Sequence, residues 1–183
     1  MSGILFLVDE SAAMNTPVAL PMGVADSGGA RKTKLESIAT LINSNLNKLA
    51  QSASGDVAVV GYRTDADGTA VVGPRWGGSL AGRAFVPLAE LPGSEIAVEP
   101  RTRKVPGAGG LMEEQPFNFP LWYTPEPGQK APQVAAFDSC FELLSSWSGS
   151  DIPIVIHLFA GASSDGNPLK AVQRIQEMGA SGG

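Results

Sequence analysis

The residues best suited to covalent or metal chemistry are scarce in this sequence of 183 residues. Its one histidine, His157, lies inside the apolar run of residues 154–159, and its one cysteine, Cys140, lies in a predicted helix beside an apolar stripe. Without a second histidine, neither an ordinary Ser-His-Asp triad nor a zinc-ligand cluster can be assembled. We therefore expect a hydrogen-bonded structural histidine, a buried inert thiol and no enzymatic activity.

The glycine-rich segments do not have the sequence of a phosphate-binding loop. Gly77-Gly78 and residues 107–110 both lack the Gly-Lys-Ser/Thr ending of such loops. Residues 65–68, DADG, resemble the start of a calcium loop, but the spacing to a terminal glutamate is wrong. The Asp-Gly pair predicts a hairpin turn instead.

Composition excludes several classes of protein. The chain is 43% hydrophobic and 17% charged, which is too apolar for a disordered protein. Its net charge of −5 disfavours nucleic-acid binding. One cysteine cannot form an internal disulfide, and no apolar stretch approaches the roughly 20 residues needed to cross a bilayer. The N-terminal apolar run has no basic segment before it, so a cytoplasmic protein is expected.

Continuous apolar runs and helical stripes alternate in the first third of the chain. Residues 4–8, ILFLV, predict a strand buried on both faces, and residues 57–62 predict a second. Between them, Thr33 and Glu36 have the spacing of a capping box before a helix. Strand, helix, strand in this order predicts an α/β fold with a mainly parallel sheet.

The middle of the chain, about residues 73–128, has no helical stripe longer than a turn and is predicted to be an insertion. Residues 95–105 and 117–123 read as two extended segments on either side of the glycine-rich residues 106–110, which predicts a β-hairpin. Aromatic residues concentrate in the insertion, and they form either a binding surface or the insertion's own small core. They are Trp76, Phe85, Phe117, Phe119, Trp122 and Tyr123.

Regular α/β order resumes after the insertion. A helix is predicted from Pro132, followed by a strand over residues 154–159. Asn167-Pro168 predicts the start of a last helix, with Leu169 facing inward and Gly179 ending it. The apolar stripe of the first of these helices consists of Val134, Phe137, Phe141 and Leu144. We expect one domain over residues 1–183. A doubly wound sheet normally gains one or more strands after such a helix, so C-terminal strands are expected to be missing from this sequence.

The turn after the first strand, DESAAM at residues 9–14, resembles that of the von Willebrand factor A (vWA) domain. The segments VAVVGYRTD (57–65) and HLFAGASSDGNP (157–168) are similar to bacterial intracellular members, which accompany kinases, phosphatases or ATPases in stress and defence gene sets. The resemblance covers most of the chain outside the insertion. It implies a Rossmann-like sheet with helices on both faces.

The resemblance also implies a metal-ion-dependent adhesion site, which usually holds Mg²⁺. Asp9 and Ser11 match the family's motif, but alanine stands at the other three ligand positions, Ala13, Ala131 and Ala160. The site is therefore expected to be degenerate and metal-free, since Mg²⁺ prefers octahedral oxygen ligands. The alternative is that Asp9 and Ser11 still bind Mg²⁺ through waters.

The expected function is protein–protein binding by a scaffold domain, and the resemblance implies that the protein partner offers an acidic residue to the site. The partner-contacting residues are predicted to be Asp9, Ser11, Ala131, Ala160 and Asp165, with Trp122 added if the insertion takes part. Asp165 either supplies a carboxylate to the site or serves as a turn or capping residue. The alternatives are a Mg²⁺-dependent binding domain, a regulatory subunit of an enzyme complex in a bacterial stress or defence system, and a hydrolase.

Overall fold

A computed structural model describes residues 3–19, 31–52, 54–107, 111–149, 151 and 153–180. The strands are β1 (Gly3–Asp9), β2 (Asp56–Thr64), β3 (Ala70–Pro74), β4 (Val86–Pro87), β5 (Ala97–Pro106), β6 (Met112–Leu121) and β7 (Ile154–Leu158). The helices are α1 (Lys34–Ser52), α2 (Gln133–Ser146) and α3 (Leu169–Ala180). Two turns of 3-10 helix, Gly78–Leu80 and Leu88–Glu90, flank β4.

The three continuous apolar strands form the parallel part of a mostly parallel sheet, as the sequence predicts, with β1 between the other two. Its order is β3-β2-β1-β7, with β1 parallel to both β2 and β7. The short strands β3 and β4 pair antiparallel with β2. The carboxyl ends of β1, β2 and β7 therefore meet at one edge of the sheet.

Each face of the sheet is covered by helices. On one face, α1 packs Leu35, Ile42 and Leu46 against side chains of β1 and β2. On the other, α2 and α3 pack against the alternate residues of the same strands. The residues of α2 in this second core are Ala136, Phe137, Cys140 and Leu144. The molecule is thus a mixed α/β protein with two apolar layers.

The predicted capping box at the start of α1 and the predicted hairpin turn before β3 are confirmed. Thr33 and Glu36 form the capping box: the Glu36 amide donates to Thr33 Oγ1 at 3.1 Å, and the Thr33 amide donates to Glu36 Oε2 at 2.7 Å. In the hairpin turn, Asp65 Oδ1 accepts the amides of Asp67 and Thr69. Gly68 takes a φ of +83°, which glycine adopts without strain.

The buried face and the C-terminal end of the chain's last helix differ from the prediction, whereas its start does not. Asn167 Oδ1 accepts the Leu169 amide at 3.0 Å and caps α3 as expected. Leu169 itself, however, is 56% exposed rather than inward-facing. The buried stripe starts at Ala171, and the helix runs through Gly179 to Ala180. In α2 the stripe is also shifted, because Phe141 is only partly buried and lies beneath the Arg174 guanidinium.

The inserted hairpin is longer than predicted, because its second strand begins at Met112 and not at Phe117. β5 and β6 pair over ten residues each, and most of their side chains are exposed. The turn predicted at residues 106–110 lies in part, at residues 108–110, outside the described residues. At its base the hairpin contacts α1. Phe119, near the end of β6, is buried.

The prolines of the hairpin all fall on one set of register pairs. The pairs are Val98↔Pro120, Pro100↔Asn118, Thr102↔Pro116 and Pro106↔Met112. Pairs in an antiparallel ladder alternate between hydrogen-bonded and non-hydrogen-bonded. Because proline has no N–H to donate, this set must be the one whose amides point away from the partner strand. The ladder is intact, and on each outer edge the prolines interrupt the row of outward-pointing amide donors.

Aromatic residues of the insertion form neither a binding surface nor a separate core, because Trp76, Trp122 and Tyr123 belong to the apolar core between α1 and the sheet. Trp76, Phe119, Trp122 and Tyr123 are buried, whereas Phe85 and Phe117 are half-buried. Asn43 of α1 holds the exit of the hairpin, since its Oδ1 accepts the Trp122 and Tyr123 amides and its Nδ2 donates to the Tyr123 carbonyl.

Along the described parts of the chain, no helix has the length and apolar character that crossing a membrane requires.

Candidate functional site

A cleft of about 410 Å³ lies at the carboxyl ends of the parallel strands. Three loops form it: the turn after β1, the segment before α2 and the loop after β7. The lining residues are Ser11, Ala13, Gln129, Lys130, Ala131, Gly161, Ala162, Ser163 and Ser164. Open α/β sheets bind ligands at this edge, which makes the cleft the candidate site.

Asp9 ends β1 directly beneath the cleft and is fully buried. Its Oδ1 accepts the amide of Ser11 at 2.8 Å, and its Oδ2 accepts the amide of Ala160 at 3.3 Å. The carboxylate therefore joins the loops after β1 and β7 through backbone bonds. It does not line the cleft.

Ser11 does line the cleft, and its hydroxyl is unusual. The residue is 2% exposed, and its Oγ has no hydrogen-bond partner among the described residues. Buried polar atoms are nearly always paired, so an unpaired one at a cleft indicates a place for a ligand atom.

The segment before α2 is fastened to the end of β2. Thr64 bonds to it three times: its amide donates to the Lys130 carbonyl at 2.9 Å, its Oγ1 accepts the Lys130 amide at 3.1 Å, and its carbonyl accepts the Gln129 amide at 3.1 Å. The Gln129 carbonyl accepts the Ala12 amide at 3.1 Å from the opposite side. This wall of the cleft is thus held by backbone hydrogen bonds on both sides.

Asp165 is a capping residue in the structure. Its Oδ1 accepts the Val134 amide and the Ser163 hydroxyl, and its Oδ2 accepts the Ala135 amide, at 2.7–3.0 Å. Partial burial would raise the pKa of this carboxyl, but the hydrogen bonds from Ala135, Ser163 and Val134 outweigh it and lower the pKa. Asp165 thus satisfies the first turn of α2.

The structure brings most of the predicted contact residues together. Ser11 and Ala131 line the cleft, and Asp9 and Ala160 lie beneath it as a hydrogen-bonded pair. Asp165 does not line the cleft but bonds to Ser163, which does. Trp122 lies elsewhere. It is 2% exposed in the core against α1, and its indole N–H donates to the Leu91 carbonyl at 2.8 Å.

A buried charge cluster beside the cleft was not anticipated from the sequence. Glu10 is fully buried, and its Oε2 lies 2.8 Å from Arg75 Nη2 and 3.4 Å from Arg63 Nη1. Its Oε1 accepts the Tyr123 hydroxyl at 3.0 Å and the Glu126 amide at 3.3 Å. Both arginines also reach the Glu126 carboxylate. Burial raises the pKa of Glu10, opposed mainly by Arg75.

This cluster fixes the path of the chain from the hairpin to the cleft. The Glu10 carbonyl accepts the Gly128 amide at 2.7 Å, so one residue holds the chain at Tyr123, Glu126 and Gly128. Only the position of Glu10 after an apolar strand was visible in the sequence. Its partners come from β2, the segment after β3 and the hairpin's exit.

Comparison of the chain with protein-family models, with curated proteins and with solved structures gives no match. The site must therefore be interpreted from its own donor atoms. The magnesium that the vWA resemblance implies does not fit them. Asp9 already binds two amides and is buried, and Ala13, Ala131 and Ala160 have no side-chain oxygen. Across the described ranges, no three His, Cys, Asp or Glu side chains are grouped to hold a metal ion.

The histidine and the cysteine have structural environments. His157 Nε2 shares a hydrogen bond of 2.7 Å with the buried Tyr62 hydroxyl, and its ring packs against Phe137 and Phe159. Burial lowers the pKa of His157, so the neutral ring is favoured. Cys140 is fully buried, which raises the pKa of its thiol to about 12. Both sequence predictions, a hydrogen-bonded histidine and a buried thiol, are confirmed.

Proposed function

We propose that this chain is a non-catalytic protein-binding domain of the vWA type, built on a Rossmann-like sheet, and that a partner protein binds at the cleft. The observation that carries the proposal is the construction of the cleft. Loops after two parallel strands and before α2 converge there, and Ser11 presents an unpaired hydroxyl to it. Fold alone does not give function, so the argument rests on this site.

The environments of the reactive side chains favour binding over catalysis. A thiol with a pKa of about 12 is protonated near neutral pH and is a poor nucleophile. His157 is enclosed by two aromatic rings and bonded to Tyr62, and it does not line the cleft. The residues that do line it are small or hydroxylic, apart from Gln129 and Lys130. Such a surface suits recognition of a protruding side chain.

The vWA assignment is supported by the placement of the motif residues. Asp9 and Ser11 follow the central strand β1, and Ala131 and Ala160 lie in the two loops that face them. This is the arrangement that the sequence resemblance implies. The three alanines make a metal-free form of the site the better account.

Site-specific photo-crosslinking tests the proposal. A photoreactive phenylalanine analogue replaces Ala162, which is exposed and lines the cleft, in the cells from which the chain comes. The matched control carries the analogue at Ser145, an exposed residue of α2 outside the cleft. We expect one protein to crosslink from position 162 only, and the same protein, once purified, to bind the chain.

The substitution Ala162→Trp should then weaken binding of the purified partner by about tenfold or more, because the indole fills the cleft. The circular dichroism spectrum should be unchanged. Equal crosslinking from positions 162 and 145, or full binding by the tryptophan variant, would show that the cleft is not the contact surface.

A further inference from the structure

The charge that lines the cleft is positive. Lys130 is the one charged residue among those that form its walls, and none of the described acidic side chains forms an ion pair with it. The oxygens of the two nearby carboxylates, Asp9 and Asp165, already accept hydrogen bonds from backbone amides. Asp9 accepts two amides from beneath, and Asp165 accepts the first amides of α2.

The cleft also supplies hydroxyl donors. Ser11, Ser163 and Ser164 line it, and the Ser11 hydroxyl is buried and unpaired. Ser163 donates to Asp165. A buried hydroxyl and an ammonium that line the same cleft are a donor combination suited to carboxylate or phosphate oxygens, because hydrogen bonds to an ionised acceptor are the stronger kind.

The lysine is attached to a fixed backbone. Both its amide and its carbonyl bond to Thr64, which is 5% exposed. The Cα of Lys130 is therefore positioned by β2, and only the side chain must be ordered when a ligand binds. Binding is less costly where the donors are held in place beforehand.

From these observations we infer that the cleft binds an oxyanion of the partner, a carboxylate or a phosphate, directly through the Lys130 ammonium and the Ser11 hydroxyl, without a bridging metal ion. The inference rests on the proposed function and names the group that is recognised. The ammonium supplies the positive charge that a bound cation would otherwise bring, and the alanines leave room for the anion itself.

Anion titrations followed by NMR test this inference on the whole chain. Sodium acetate and inorganic phosphate are added separately to ¹⁵N-labelled protein at constant ionic strength, with EDTA present. We expect saturable shifts of amides in residues 11–13, 129–131 and 161–164. Lys130→Gln should weaken binding about tenfold and Ser11→Ala several-fold. The matched control is Lys170→Gln, an exposed lysine of α3 outside the cleft, and it should leave binding unchanged.

The two anions distinguish the source of the group. Saturation by acetate indicates an acidic side chain, and saturation by phosphate alone indicates a phosphorylated residue. The inference is wrong if neither anion saturates, if Lys170→Gln weakens binding as much as Lys130→Gln, or if binding requires added Mg²⁺. Failure here with cleft-specific crosslinking at position 162 would leave the protein-binding proposal standing, so the two failures are separable.

Discussion

Asp9 and Glu10 are consecutive and fully buried, yet they are stabilised in different ways. Asp9 accepts two backbone amides and forms no ion pair with a described cation. Glu10 is paired with Arg63 and Arg75 and bonded to Tyr123. At the residue scale, one carboxylate therefore organises loops through hydrogen bonds and the other through charge. A sequence motif identifies the first, whereas the partners of the second are 53 to 113 positions away.

Glu10→Gln should destabilise the fold strongly. The amide keeps the shape of the side chain but leaves two partly buried arginines with only Glu126 as a counter-charge. Removing one partner of a buried ion pair costs about 3 kcal/mol in the free energy of unfolding. Urea denaturation measures this cost, with Glu113→Gln on the exposed hairpin as the control, for which we expect a change within about 0.5 kcal/mol. Equal stability of the two variants would contradict a structural role for the cluster.

Asp165→Asn should change how stability depends on pH. Because the pKa of Asp165 is lower in the folded chain than its ordinary 3.8, the ionised form stabilises the fold. That contribution is complete above the ordinary value and disappears as the pH falls through the folded value. The variant should be less stable by about 0.5 kcal/mol at pH 7. The two proteins should converge at low pH in chemical denaturation, and a constant difference from pH 7 to pH 3 would contradict the capping role.

At the element scale, β2 and β3 present a matched pair of glycines. Gly61 and Gly73 lie opposite each other in the antiparallel register. A Cβ on Gly61 would lie 2.3 Å from Arg75 Nε and 2.5 Å from Glu10 Oε2, whereas one on Gly73 would have no atom within 4 Å. Gly61 is therefore required by the charge cluster above it, and Gly73 is not.

Gly61→Ala should destabilise the chain by about 2 kcal/mol, because the added methyl group displaces the arginine and the glutamate. Gly73→Ala should be neutral or slightly stabilising, since alanine restricts the unfolded chain. Thermal unfolding of the two variants compares them directly. A similar loss in both would indicate that the strand pairing, and not the charge cluster, requires glycine.

Prediction of the elements succeeded where the signal is local. The capping box of α1, the Asp65 turn and the Asn167 cap each depend on residues within four positions of one another. The inward faces of α2 and α3 were partly wrong, because which residues are buried depends on how the two helices pack on each other and on the sheet. The site residues were likewise predictable only where the signal is local. Asp9 and Ser11 were identifiable, but the burial of Trp122 depends on Asn43, 79 positions earlier.

At the scale of the whole molecule, the outer part of the β5–β6 hairpin projects from the domain and buries few side chains. From Thr102 to Pro116, the described residues are exposed apart from partial burial of Val105 and Gly107. Among the described residues of the two strands only Phe119, near the base, is buried, and the core cluster begins at Trp122, just after β6. Since stability comes mainly from buried apolar surface, the outer part contributes little to it.

Replacing residues 102–116 with Asn-Gly should therefore leave the melting temperature within about 3 °C of the parent. The cut joins Arg101 to Phe117, which face each other in the register, so a two-residue turn closes the shortened hairpin. Circular dichroism on heating measures the effect. A large fall in melting temperature would mean that the outer hairpin packs on the domain.

The placement of the hairpin's prolines affects what happens at high protein concentration. Exposed strands with free edges are templates on which further chains add and from which fibrils grow. Pro100 and Pro106 on one edge, and Pro116 and Pro120 on the other, interrupt the row of donors that such growth needs. β7 has no proline and no acidic or basic residue other than His157, and among the described strands it pairs only with β1. Aggregation of this protein should therefore start at β7, the edge of the main sheet, and not on the exposed β5–β6 hairpin.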